Sequence, residues 1–90
     1  MSWEPYDPSW LIQLAQDQLP EERWLPQALA QCTKCRVESR SYIHFVDSNG
    51  PEWQFETCLE LDSPVEGWIV LDVLKGQRVG GIEFVDKIED

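Results

Sequence analysis

The amino-acid sequence predicts one α+β domain, with two N-terminal helical segments followed by a four-stranded antiparallel β-meander. Residues 8–32 carry apolar side chains at helical spacings between prolines. Residues 36–85 alternate between polar and apolar side chains and are divided by turn sequences. We therefore expect an extended leader at residues 1–7, an acidic tail at residues 86–90, and one modest core, which is what 90 residues can build.

Prolines mark the limits of the helical segments. Residues 7–9 are Asp, Pro and Ser, which favour a helix N-terminus, and Pro20 predicts the end of the first helix. The second segment, residues 20–32, is interrupted by Pro26, so we predict a broken or kinked helix there. The predicted packed faces are Trp10, Leu11, Leu14, Ala15 and the polar Gln18 in the first segment and Trp24, Leu25, Ala28, Leu29 and Cys32 in the second.

Two strands are predicted in the middle of the chain. Residues 36–46 and 52–61 each alternate with a period of two, and the turn cluster at residues 47–51 separates them. A register that opposes Phe45 to Phe55 keeps both apolar faces on the core. The same register predicts three further cross-strand pairs, Arg40 with Glu60, Tyr42 with Cys58, and His44 with Glu56.

The segment Gly67–Val85 is the longest apolar, β-branched stretch and predicts a β-hairpin. Its strands are Trp68–Leu74 and Val79–Val85, and Gly76 begins a two-residue turn of type II′. The predicted inner face contains Ile69, Leu71, Val73, Ile82 and Phe84. The predicted outer face contains Trp68, Val70, Leu74, Val79 and Val85, interrupted by Asp72 and Glu83. One face of such a sheet is normally polar, so this excess of apolar surface predicts an interface, unless another part of the chain covers it.

Charge is strongly negative and unevenly distributed. The net charge is −10, of which residues 47–90 contribute −8. Because nucleic-acid binding depends on positive charge, we expect neither DNA nor RNA as a partner. Glu56 and Glu60 belong to an acidic row on the second predicted strand, and we expect this row to select a basic protein.

Three cysteines and one histidine raise a second hypothesis. Cys32 and Cys35 have the spacing of a zinc knuckle or a redox pair, and the predicted register places Cys58 and His44 on one sheet face. A Cys-Cys-Cys-His zinc site or a thiol-redox site is therefore conceivable. No second closely spaced ligand pair is present, and the Cys pair follows a helix C-terminus, which opposes a thiolate. Ordinary reduced cysteines, with no cofactor, are the preferred interpretation.

Three segments of the C-terminal half form a recognisable pattern, namely Tyr42-Ile43-His44-Phe45, Gly67-Trp68-Ile69-Val70-Leu71-Asp72 and Val79-Gly80-Gly81-Ile82-Glu83-Phe84. This pattern resembles that of a small bacterial family, domain of unknown function 2283. The resemblance implies a compact β-meander and brings no catalytic residues with it. The resemblance also implies an association with small toxin-like proteins, and with it a neutralising partner role.

Together these observations predict a non-enzymatic interaction module that docks a protein partner, or a second copy of itself, through the outer face of the C-terminal hairpin. Alternatives are the zinc or thiol protein described above and an acidic, antitoxin-like or nucleic-acid-mimicking antagonist of a basic protein. The first ten residues do not resemble a secretory signal, and no apolar run reaches the roughly 18–20 residues of a membrane helix. We expect a cytoplasmic protein.

Overall fold

The computed structural model describes residues 3–64 and 67–85, which form a six-stranded antiparallel sheet and two short helices. The elements in chain order are β1 (Glu4–Pro5), α1 (Ser9–Gln18), α2 (Leu25–Ala30), β2 (Lys34–Ser39), β3 (Tyr42–His44), β4 (Phe55–Asp62), β5 (Trp68–Leu74) and β6 (Arg78–Val85). The start of the predicted leader, residues 1–2, and the predicted acidic tail, residues 86–90, lie outside the described residues.

The predicted four-stranded meander after two helical segments is wrong. The sheet has six strands in the order β1-β2-β3-β6-β5-β4, and its first strand precedes both helices. Part of the predicted leader is therefore a strand, since Glu4 pairs with Cys35 and Pro5 with Lys34. The last strand, β6, lies in the middle of the sheet between β3 and β5, which a meander does not allow.

The single strand predicted over residues 36–46 is a bulged hairpin. A turn at residues 40 and 41 separates β2 from β3, and the pairing shifts between Val37 and Ser39. Because of this bulge, Val37 still faces Ile43, so odd-numbered residues share one face on both sides of the turn. The parity of the two faces is therefore the same before the bulge and after the turn, although Ser39 itself faces Tyr42, which is why the pattern resembled one strand.

The predicted pairing between residues 36–46 and 52–61 is also wrong. In the structure β3 pairs with β6, with Ile43 opposite Ile82, and β4 pairs with β5. Gly81 permits the β3–β6 contact, because a Cβ atom there would lie 2.8 Å from the carbonyl oxygen of Ile43. Phe45 therefore does not face Phe55, and the predicted pairs of Arg40, Tyr42 and His44 with the second strand do not form.

Proline begins the second helix rather than breaking it. Helix α1 ends where predicted, with the Leu19 backbone N–H donating to the Ala15 carbonyl at 2.8 Å and Pro20 following. Helix α2 has Pro26 in its first turn, where the missing N–H would have no intrahelical partner. The predicted kink is thus a helix start.

Both helices pack on one face of the sheet, which we call the inner face. The core combines Leu11, Ala15, Leu25, Leu29 and Cys32 with the sheet residues Leu61, Ile69, Leu71, Val79 and Ile82. The opposite face of β3–β6–β5–β4, called the outer face, has no helix on it in the part of the chain described. Among those residues no helix has the length and apolar character needed to cross a membrane.

Candidate functional site

The closing hairpin has the predicted register over most of its length but not at its turn. Leu71 faces Ile82 and Asp72 faces Gly81, as expected. The pairing then shifts, so that Val73 faces Val79 and Leu74 faces Arg78, and Gly80 is the extra residue of a β-bulge. The predicted two-residue turn is wrong, because residues 75–77 form the loop. The bulge turns Val79 onto the inner face, where it is 3% exposed.

One part of the outer face is closed by the chain itself. This closed half comprises Tyr42, His44, Trp53, Asp72 and Leu74. The rings of Tyr42 and His44 stack with centroids 4.6 Å apart, and Trp53 meets His44 edge-on at 5.7 Å. The Tyr42 hydroxyl donates a hydrogen bond to Oδ2 of Asp72. An aromatic cluster therefore covers the turn end of the hairpin.

Gly80 explains how this cover fits. A Cβ atom at Gly80 would lie 2.6 Å from Cζ3 of Trp53 and 2.9 Å from Cδ1 of Leu74. Real side chains do not approach so closely, so only glycine allows the indole to lie across the bulge. As a result Leu74 is 0% exposed, although the sequence predicted it on an open surface.

The polar groups of the closed half are set for structure rather than for proton transfer. Burial, and then the neighbouring Asp72 carboxylate, raise the pKa of the Tyr42 phenol, so the hydroxyl stays a donor. His44 is 5% exposed, and its Nε2 lies 2.7 Å from Oε1 of Glu38 rather than beside the predicted partner Glu56. Within residues 3–64 and 67–85, Nδ1 of His44 has no hydrogen-bond partner.

The other part of the outer face is open. This open half comprises Glu60, Asp62, Trp68, Val70, Glu83 and Val85. Val70 lies between Glu60 and Glu83 on adjacent strands, and Trp68 lies between Asp62 and Val85. Trp68 is 37% exposed, and Val70 and Val85 are half-buried. An apolar strip is therefore bordered by carboxylates.

A shallow cavity of about 390 Å³ adjoins the open half at the edge of the sheet. Its lining is Gln18, Glu60, Leu61, Asp62 and Trp68. Carboxylates such as those of Glu60 and Asp62 attract an ammonium or guanidinium ion by their charge. An indole ring such as that of Trp68 attracts it by its quadrupole. The chemistry of this cavity suits a lysine or arginine side chain.

The predicted partner-binding residues thus divide into three groups. Trp68, Val70, Val85 and Glu60 lie together in the open half. Leu74 and Val79 are buried, and Glu56 is exposed at a bulge of β4. The cavity also includes Gln18, whose helical spacing predicted only a packing role. No local sequence signal connects α1 to the end of β4, so Gln18 could not be found from the sequence.

The four residues of the zinc and thiol hypothesis do not converge. Cys32 and Cys35 are buried, Cys58 is exposed on β4, and His44 contacts Glu38. In the described ranges, no three His, Cys, Asp or Glu residues are placed to hold a metal ion. All three cysteines are free thiols.

Neither buried thiol is activated. Burial raises the pKa of the Cys32 thiol to about 12, and burial also raises the pKa of the Cys35 thiol. The cavity beside Cys32 measures about 100 Å³, room for a few water molecules. Because the thiolate is the reactive form, this arrangement does not suit nucleophilic or redox chemistry at neutral pH.

Comparison with known proteins gives no relative for this chain. No protein family, curated protein or solved structure matches it. The resemblance of the C-terminal half to domain of unknown function 2283 stays a prediction, and the geometry of the open half has to carry the functional interpretation alone.

Proposed function

We propose that this protein is a non-enzymatic interaction module that binds a basic protein partner through the open half of its outer face. The observation that carries the proposal is the cavity beside Trp68, whose lining includes the acidic residues Glu60 and Asp62 and the partly exposed Trp68. Partly exposed aromatic side chains bordered by polar groups are typical anchors of protein interfaces.

A positive partner follows from the charges around the strip. Within the described ranges, no Lys or Arg is ion-paired with Glu60, Asp62 or Glu83. Two cations elsewhere on the protein have carboxylate partners of their own, Arg36 with Asp47 at 3.4 Å and Arg78 with Glu52 at 3.2 Å. The net charge of −10 adds long-range attraction for a cation and accelerates encounter.

The experiment measures binding of a seven-residue peptide of alternating lysine and valine by titration calorimetry at low salt. The variant Trp68→Lys removes the indole and places a positive charge in the cavity, which repels the positive peptide, so we expect at least about tenfold weaker binding. Trp10→Lys is the matched control. Trp10 is also 37% exposed but lies on α1, stacked on Phe84 at 6.2 Å, so binding should change by less than about threefold.

Two further comparisons make the result decisive. The same peptide with glutamate in place of lysine should not bind, and high salt should weaken the lysine peptide because exposed charges are screened. If the lysine peptide does not bind wild type at low salt, or if both Lys variants weaken it equally, the proposed function is wrong. A metal or thiol function would instead give bound zinc on metal analysis or a reactive thiol at Cys32.

A further inference from the structure

Strand β4 forms one border of the sheet. It is eight residues long, and in the described part of the chain its only strand partner is β5. An unpaired strand edge offers a row of backbone N–H and C=O groups to any extended peptide. The open half of the outer face reaches this border through Glu60 and Asp62.

Hydrogen bonds identify the groups of β4 that point outward. The Ser63 backbone N–H donates to the Gly67 carbonyl at 3.2 Å, so the backbone groups of Ser63 point toward the neighbouring strand and not toward the open edge. Pairs alternate along an antiparallel ladder, so Leu61 and Leu59 bond inward to β5. The backbone groups of Asp62, Glu60 and Cys58 therefore face away from the sheet.

Gln18 confirms this assignment and shows what the edge accepts. Its side-chain Nε2 donates to the Asp62 carbonyl at 2.9 Å, and its Oε1 accepts from the Asp62 backbone N–H at 2.7 Å. One side-chain amide thus satisfies both outward groups of Asp62, as the peptide group of a neighbouring strand would. Among residues 3–64 and 67–85, no side chain does the same for Glu60 or Cys58.

We propose that the edge of β4 at Cys58 and Glu60 accepts an extended basic segment of the partner as a seventh, antiparallel strand. This inference rests on the proposed function and specifies its binding mode. Residues of the added strand that face Glu60 and Cys58 donate their N–H groups to β4 and direct their side chains to the acidic outer face. One such Lys or Arg side chain enters the cavity beside Trp68.

A second copy of the chain fits this edge poorly. An antiparallel pair of β4 strands centred on Glu60 brings two Glu60 carboxylates together. Centring the pair on Leu59 instead opposes Glu56 to Asp62. Directly opposed like charges destabilise a strand pair. Charged edges also protect proteins against aggregation, but protection alone does not require a cavity that joins two carboxylates to an exposed indole.

The test uses two forms of the alternating lysine–valine peptide, one methylated at two lysine backbone nitrogens and the other at two valine backbone nitrogens, so that the two forms have the same charge and composition. In the proposed register the lysine N–H groups point at β4 and the valine N–H groups point away. Methylating the two lysine backbone nitrogens should weaken binding by about tenfold or more, because it removes two inter-strand hydrogen bonds and keeps the peptide backbone from approaching β4. Methylating the valine nitrogens should change the affinity by about twofold at most.

The outcomes separate this binding mode from the proposed function. Unmodified peptide that binds while both methylated forms bind equally well, or equally weakly, overturns strand addition and leaves the acidic surface as a simple charge receptor. Loss confined to the valine-methylated form overturns the antiparallel register. No binding of the unmodified peptide overturns both proposals.

A variant of the protein gives an independent measurement. In Cys58→Pro the outward N–H is removed without loss of a ladder hydrogen bond, and proline is tolerated on an edge strand in this position. We expect about tenfold weaker peptide binding than in Cys58→Ser. If light scattering shows a wild-type dimer that Cys58→Pro converts to a monomer, the edge serves a second copy and the proposal is wrong.

Discussion

The closed and open halves of the outer face meet on the hairpin β5–β6, yet the chain covers the closed half and leaves the open half uncovered. In the closed half, Gly80 and Gly81 leave room that Trp53 and Tyr42 occupy. The open half has no such glycines among its residues: it has Val70 and Trp68, and acidic residues lie beside both of them. This difference indicates that small residues on the hairpin allow other parts of the chain to pack over the sheet, whereas larger residues leave it uncovered.

The carboxylates of the closed half and of the open half also differ in how their charge is stabilised. Asp72, in the closed half, accepts a hydrogen bond from the Tyr42 hydroxyl, which offsets the loss of water around its charge. Glu60 and Glu83 are exposed and keep their hydration. A carboxylate with a buried donor supports the fold, whereas exposed carboxylates around an apolar strip remain available to a partner. Four predictions separate these roles: the largest expected effect on stability comes first, two comparable effects follow, and the smallest comes last.

Truncating a buried side chain of the closed half should have the largest effect. Leu74→Ala removes a fully buried side chain beside Gly80, and we expect a loss of about 2–5 kcal/mol in the free energy of unfolding. Val70→Ala in the open half should cost less than about 1.5 kcal/mol, because Val70 is only half-buried. Urea unfolding of the two variants measures the difference. Equal losses would mean that the two halves are packed alike.

Adding a methyl group to the closed half should destabilise the protein less. In Gly81→Ala the new Cβ would lie 2.8 Å from the Ile43 carbonyl oxygen, a backbone atom that cannot move alone, so we expect a loss of about 1–3 kcal/mol. Gly50→Ala is the control, since its nearest contact is 3.4 Å, and its effect should stay within about 0.5 kcal/mol. Thermal unfolding of both variants is the measurement, and a neutral Gly81→Ala would show that β3 and β6 are not in close contact.

Removing one hydroxyl should have an intermediate effect that depends on pH. Tyr42→Phe leaves the half-buried Asp72 carboxylate without its donor, and we expect a loss of about 1.5–3 kcal/mol near neutral pH. In the folded protein the pKa of the Tyr42 phenol is raised above its ordinary value of 10.0. Its contribution is therefore complete below pH 10 and is lost as the pH rises further, because the unfolded phenol ionises first.

The pH dependence has its own readout. Unfolding measured from pH 8 to pH 12 should show a steeper decline in wild type than in Tyr42→Phe. Some decline should remain in the variant, because burial also raises the pKa values of Tyr6, Cys32 and Cys35. Parallel declines in the two proteins would show that the Tyr42 phenol is not held in its protonated form by the fold.

Sequence patterns predicted the closing hairpin well because both of its strands are long and apolar. The pairs Leu71 with Ile82 and Ile69 with Phe84 follow directly from that pattern. Other pairings could not be obtained this way. The bulge between Val37 and Ser39 places Val37 and Ile43 on one face across the turn, so a period of two does not reveal the hairpin β2–β3. The position of β6 between β3 and β5 depends on a long-range contact at Gly81, and no pattern in the neighbouring sequence predicts that contact.

The candidate site was predictable to a similar extent. The register of β5 identified Trp68 and Val70 as neighbours on the outer face, since it depends only on alternation. The burial of Leu74 was not predictable, because it requires the bulge at Gly80 and the return of Trp53 from a loop. Features that depend on one strand could be inferred from the sequence, and features that depend on three segments meeting could not.

Neutralising one carboxylate of the open half should have the smallest effect on stability and a clear effect on binding. Glu60 is exposed and unpaired among the described residues, so Glu60→Gln should change the free energy of unfolding by less than about 0.5 kcal/mol. The same change removes one of two carboxylates in the cavity, so the lysine peptide should bind severalfold more weakly and with a smaller dependence on salt. Glu21→Gln, an equal change of charge at an exposed position ahead of α2, is the control and should leave the affinity within about twofold. If both variants weaken the peptide equally, net charge alone attracts it, and the open half has no special place among the acidic surfaces of the protein.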